Sequence, residues 1–304
     1  MTLAERGDRI SAAWLRLPGN MRGALWITMG TVAFALNDAA VKTLGRTINP
    51  IELAMARYAI GFALLLPAFI HMGWSGLKTT RPGVHALRLV IACVAQIGTF
   101  YAVIHLMLAD ATAIAFSRPL FTTLIAVVLL SEVVRLRRWT ATAIGFVGVL
   151  VMVRPGVGAF DPTTLIAVAT AAAFAFANVL IRVMAPTEPP NRILFYYHGG
   201  AVLIFILPTW WVWVTPTPEQ WPLLFAIGVL TTVGMIGFVR GFSAGEASIV
   251  GPMEYTRLIY AALLGYYLFA EIPDIWSGVG AAIIVVCTIY IARREARGKN
   301  DAEP

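Results

Sequence analysis

The chain has 304 residues, 59% of them hydrophobic and only 13% charged, with a mean hydropathy of +0.78. This excludes a soluble domain of that size, and the formal charge of +7 does not point to nucleic acid, because the basic residues are scattered between apolar segments. The two cysteines, Cys93 and Cys287, both lie in apolar stretches and exclude a disulfide framework or zinc spacing. An all-α integral membrane protein is expected, with the lipid bilayer and a small molecule as partners and no cofactor, metal or nucleic acid.

Residues 1–20 carry Arg6, Arg9 and Arg16 against Glu5 and Asp8, with no apolar core long enough for a signal peptide. They read as a cytoplasmic segment, either a short interfacial helix on Ile10, Ala13, Trp14 and Leu17 or a tail. Ten apolar segments follow, at 22–45, 50–71, 84–107, 111–132, 139–154, 162–184, 191–213, 221–241, 247–270 and 275–292. Each is long enough for a ~30 Å hydrocarbon layer. The breaks are short and marked by proline, glycine and charge, as at Asn49-Pro50, Arg81-Pro82-Gly83 and Arg154-Pro155-Gly156. With the N-terminus cytoplasmic, seventeen of the 23 basic residues fall on the inner side, Arg88 among them, and three, Lys42, Arg46 and Arg154, on the outer side. That bias predicts a multi-pass protein of the inner membrane with both termini cytoplasmic. Arg57, Arg118 and Arg257 remain inside spans.

The chain repeats itself. Arg118 lies fourteen residues before Glu132, and Arg257 lies fourteen before Glu271. Phe34-Ala35, Asp38 and Lys42 are echoed by Phe174-Ala175, Asn178 and Arg182; Leu66-Pro67 by Leu207-Pro208; Trp139 by Trp276. Five spans per copy is an odd number, so the copies are expected to enter the membrane from opposite sides, 21–156 and 157–293, with a cytoplasmic tail at 294–304.

In order and duplication, these motifs resemble the EamA family of the drug/metabolite transporter superfamily. The likeness covers nearly everything after residue 20, including the Gly-rich helices at Gly145 and Gly148 and at Gly278 and Gly280. It implies a metabolite carrier, often an exporter of amino acids or related compounds, with a central cavity formed by spans 1–4 and 6–9 and with spans 5 and 10 as scaffold.

The candidate site residues are the polar groups at depth, since a charge inside a span must face protein, water or ligand rather than lipid. From ~1.5 Å of rise per residue, Asp38, Arg57 and Arg118 are each expected about 10 Å below the outer surface. Two guanidiniums and one carboxylate leave a positive charge for a substrate carboxylate or phosphate; alternatively Asp38 and Arg57 form a fixed pair. Counted from the inner side, Glu254 and Arg257 share a helix face, either as a permanent ion pair or as a gate that breaks when substrate or a proton arrives. Asn178 takes the place of Asp38, and Tyr197 or His198 that of Arg57. Gln96, Tyr101 and Tyr255 are further candidates to line the same space. Glu132 and Glu271 end their helices at a membrane surface, where a role capping the following helix is expected. No nucleophile and base, metal set or nucleotide loop is present, so the chain reads as a secondary transporter rather than an enzyme. The cargo is a small carboxylate-bearing or zwitterionic metabolite, with export the family's commoner habit. The alternative is a facilitative channel or an uptake carrier for a nucleoside-type or amphipathic compound. Proton coupling through Asp38 or Glu254 and simple exchange are both open, and a monomer or weak homodimer is expected.

Overall fold

Four of the long helices open on a proline, where the missing N–H is no loss and φ is already helical. They are α2 (Pro50–Leu77), α3 (Pro82–His105), α7 (Pro162–Met184) and α8 (Pro190–Val212). Asn49 caps α2 by accepting from the Ile51 N–H at 3.0 Å, and Asp161 caps α7 by accepting from Thr163 at 2.8 Å. The remaining helices are α1 (Gly19–Leu44), α4 (Leu108–Ala115), α5 (Arg118–Leu130), α6 (Leu136–Val153), α9 (Trp221–Ala244), α10 (Thr256–Phe269), preceded by a 3-10 turn at Gly251–Tyr255, and α11 (Ile275–Asn300). The computed structural model describes residues 17–130, 136–154, 161–245 and 250–300. Glu132 and the interfacial helix expected around Ile10 to Trp14 lie outside them.

Seven stretches are long and apolar enough to cross a bilayer, counting Leu108–Leu129 as one, and Trp139–Val153 and Ile275–Ile291 are shorter apolar helices. The segment expected as one helix over 111–132 is two, broken at Phe116 and Ser117, where the Ser117 hydroxyl donates to the Ile114 carbonyl at 2.6 Å. Its counterpart enters through the 3-10 turn that contains Pro252. Leu66-Pro67 lies inside its helix, and α2 runs on beyond the expected end at 71 to Leu77, past a kink at Gly73, whose φ of 69° suits only glycine.

The main contacts between the halves come in exchanged pairs. Helix α1 packs on α9 as α7 packs on α3, α2 packs on α9 as α8 packs on α3, and α1 packs on α10 as α7 packs on α5. The pairs α2 with α8 and α6 with α11 map onto themselves. Close approach is made by small residues. A Cβ on Gly237 of α9 would sit 2.7 Å from the Trp26 carbonyl and 2.9 Å from the Gly30 Cα of α1. Between α6 and α11, Gly148 and Gly280 are similarly crowded, whereas Gly278, expected to act with them, faces open space.

Candidate functional site

The break before α5 and the turn before α10 place Arg118 and Arg257 at the N-terminal ends of two helices within the bundle, and each reaches across to the other half. The Arg257 guanidinium lies over the Phe34 ring of α1, 5.3 Å from its centroid, and that of Arg118 over the Phe174 ring of α7 at 4.7 Å. Two residues before each arginine, Phe116 and Tyr255 meet with ring centroids 5.0 Å apart.

The two arginines differ in what they bind. Arg257 donates to the buried Asp38 carboxylate at 2.5 Å. The other carboxylate oxygen receives the Asn37 amide at 3.4 Å, and Asn37 in turn accepts from Thr231 of α9 at 3.2 Å. Arg118 makes no ion pair or guanidinium hydrogen bond among the described residues, and its buried Nε has no partner. Glu254 lies within electrostatic range of both arginines. A cavity of about 20 Å³, room for roughly one water, adjoins Arg118 between Thr99, Thr170 and a lining of alanines.

This geometry changes two expectations. Asp38 pairs with Arg257 of the other half, not with Arg57, because α1 packs on α10. Arg257 therefore turns away from an exclusive pair with Glu254, one helical turn back. Arg118 and Arg257, expected as polar groups at depth in the two halves, lie in one cluster, because each stands at the start of a half-length helix.

Arg57 lies instead with a second group between α2, α3 and α8. Its guanidinium is 5.2 Å from the Tyr58 centroid. The Tyr58 and Tyr197 hydroxyls share a hydrogen bond of 2.8 Å, and His198 packs edge-on against both rings. Gly61 leaves room for that imidazole, since a Cβ there would meet it at 3.0 Å. Arg88, counted from the sequence as an inner-surface residue, is buried and lies 4.5 Å from the Tyr197 centroid. Sequence reasoning missed it, since the span read from residue 84 puts Arg88 only four residues in, whereas the helix starts at Pro82 and puts it six in. Gln96 is also buried, on α3. Tyr101 does not join the site: it is 37% exposed and stacks on His105, one turn on, at 4.0 Å. Asn178 is exposed, four residues after Phe174, so the Asp38–Arg257 pair has no equivalent in the other half.

Polar links hold both ends of the bundle. Where α1 finishes, Lys42 pairs with Glu271 at 2.5 Å and also donates to the Leu106 carbonyl. Glu271 accepts from the Leu108 N–H at 2.8 Å. Two expectations change here. Lys42 is buried rather than exposed on the outer face, and Glu271 caps α4 of the other half rather than the helix that follows it. At the opposite end, Glu188 accepts from the Thr79 hydroxyl (2.7 Å), the Thr80 N–H (3.2 Å) and Arg192 (3.0 Å). Burial pushes its carboxyl up, but those hydrogen bonds outweigh it and hold the group down to about 2. The Arg154 hydrogen bond likewise holds Asp274 down to about 2.

A multi-pass helical membrane protein with duplicated architecture and charged groups gathered in its interior has the form of a carrier. The model of the EamA-like transporter family matches the chain twice, over residues 21–154 and 162–293. The chain belongs to that family and is a metabolite transporter of the drug/metabolite type. It is 31% identical to an S-adenosylmethionine uptake transporter of Rickettsia bellii, over 90% of this chain and 94% of that protein. It is 30% identical to the pseudopaline exporter CntI of Pseudomonas aeruginosa, over 89% and 96%. A crystal structure 20% identical in sequence superposes with a TM-score of 0.61, covering 91% of this chain and 98% of the other, and shares the fold.

Proposed function

We propose that the chain is a secondary carrier for a small carboxylate-bearing or zwitterionic metabolite, with Arg118 as the group that receives the carboxylate. One observation carries this reading: a guanidinium inside the bundle without a carboxylate of its own, beside a second arginine that has one. A charge desolvated and left unpaired is costly, and a substrate carboxylate held bidentately removes that cost. The start of α5 adds a favourable dipole for an anion. Glu254, in range of both arginines, is placed to receive a substrate amine or a proton.

In this reading ten spans form two oppositely inserted repeats in the inner membrane, with both termini cytoplasmic. Alternating access follows from exchanging the conformations of the two halves. The halves are unequal at present: Asp38 is locked to Arg257 while Asn178 is exposed and has no such partner among the described residues. Substrate arriving at Arg118 draws Glu254 toward itself and frees Arg257, and the Asp38–Arg257 pair acts as the gate. Export is proposed as the direction. A nucleoside-type cargo taken up is the second reading, favoured by the likeness to an S-adenosylmethionine uptake carrier.

The test is transport into and out of proteoliposomes with labelled amino acids, organic acids and nucleoside derivatives. Arg118→Gln is expected to lower the rate for carboxylate substrates by at least about a hundredfold while the protein still folds, the loss of a charge-assisted bidentate contact. Transport of a cation that survives both Arg118→Gln and Arg257→Gln would overturn the reading.

A further inference from the structure

The charge balance of the interior is not closed by one substrate carboxylate. Four guanidiniums, those of Arg57, Arg88, Arg118 and Arg257, lie in the two groups described above, against the carboxylates of Asp38 and Glu254. Asp38 is committed to Arg257, and Glu254 is shared between Arg257 and Arg118. Neither Arg57 nor Arg88 makes an ion pair among the described residues. Arg88 is only 7% exposed, and its buried Nε has no hydrogen-bond partner.

What surrounds them is aromatic. Arg88 lies over Tyr197 and Arg57 over Tyr58, and the two hydroxyls share one hydrogen bond. The His198 Nδ1 donates to the Leu194 carbonyl at 3.2 Å, so this ring offers no carboxylate-like counter-charge to the guanidiniums. Ring faces steady a guanidinium without neutralising it, so two cations inside a low-dielectric bundle still lack a counter-charge. A permanent structural role would be served by a carboxylate from the chain, as Asp38 serves Arg257. Tyr197 joins the two groups, because it lies within electrostatic range of Arg118 on one side and Arg88 on the other.

We infer that Arg57 and Arg88 form a second anion subsite across Tyr197 from Arg118, and that the cargo carries two acidic oxygen groups. One group binds Arg118, and the other binds the Arg57 and Arg88 pair. The inference rests on the reading of Arg118 given above and extends it from carboxylate-bearing metabolites in general to diacids, with or without an amine.

The experiment is calorimetric titration of the full chain in nanodiscs with matched ligands: glutarate and 3-phosphonopropionate against butyrate, and glutamate against glutamine. In the unaltered protein the diacids are expected to bind at least about tenfold tighter than their monoacid partners, ~1.4 kcal/mol. The two diacid probes separate carboxylate from phosphate-like preference at the second subsite. Arg88→Gln is expected to erase the diacid advantage while leaving butyrate within about twofold, the scale of an effect confined to the second subsite. Arg118→Gln weakens monoacid and diacid alike. Arg57→Gln, at a half-buried position, gives the same loss of advantage and replaces Arg88→Gln if that variant does not fold. Equal binding of diacid and monoacid, or an advantage that survives both Arg57→Gln and Arg88→Gln, overturns the second subsite alone. Absence of binding by every ligand overturns the carboxylate reading of Arg118 with it.

Discussion

At the scale of single residues, the fold depends on charges that find partners far away in sequence. Lys42 and Glu271 are both largely buried, and together they tie the ends of α1, α4 and α10. Removing one leaves the other charged and unpaired, so Lys42→Met is expected to destabilise by about 3 kcal/mol. Lys42→Met with Glu271→Leu should cost clearly less than the two single changes added together. Chemical unfolding of the three variants in detergent measures the coupling. Glu188 gives a pH dependence of defined sign. Its carboxyl is held well below its ordinary value of 4.5, so its links to Thr79, Thr80 and Arg192 contribute fully above pH 4.5 and are lost as pH falls toward about 2. Glu188→Gln should therefore lower the melting temperature at neutral pH and flatten its decline across that acid window. In the sequence Glu188 stands between Pro186 and Pro189, with no sign of its partners, which come from just beyond α2 and from the start of α8.

At the scale of elements, helix positions were legible and helix faces were not. Proline at the first turn, with Asn49 or Asp161 before it, marks a start that folding does not alter, and α7 occupies the expected 162–184. A membrane helix is apolar on every side, however, so the period of its hydrophobic residues does not say which side meets protein. For that reason the sequence does not show that Tyr101 and Asn178 stand on exposed faces, and a charge rule that counts residues without reference to depth puts Arg88 at a surface. The break at Ser117 was equally hidden: Pro119 signals a disturbance, but the unwound residues precede it. Packing supplies its own test. At Gly237 any side chain must push apart the backbones of α1 and α9, so Gly237→Leu is expected to cost about 1 to 3 kcal/mol as overpacking. Gly278→Leu, where nothing lies within 4 Å, should leave the melting temperature nearly unchanged.

At the scale of the whole molecule, each half completes the other. The arginine of each half rests on a phenylalanine of the opposite half, Arg257 on Phe34 and Arg118 on Phe174, and the buried Asp38 of one is neutralised by the other. Made by itself, neither half would supply these contacts to its own arginine. The pattern fits descent from a short ancestral protein that worked as a dimer of two identical subunits, later fused into one gene and free to diverge, so that aspartate now stands at 38 and asparagine at 178. Two separately expressed fragments, 1–157 and 158–304, are accordingly expected to co-purify and transport when made together, and each to be degraded when made without its mate.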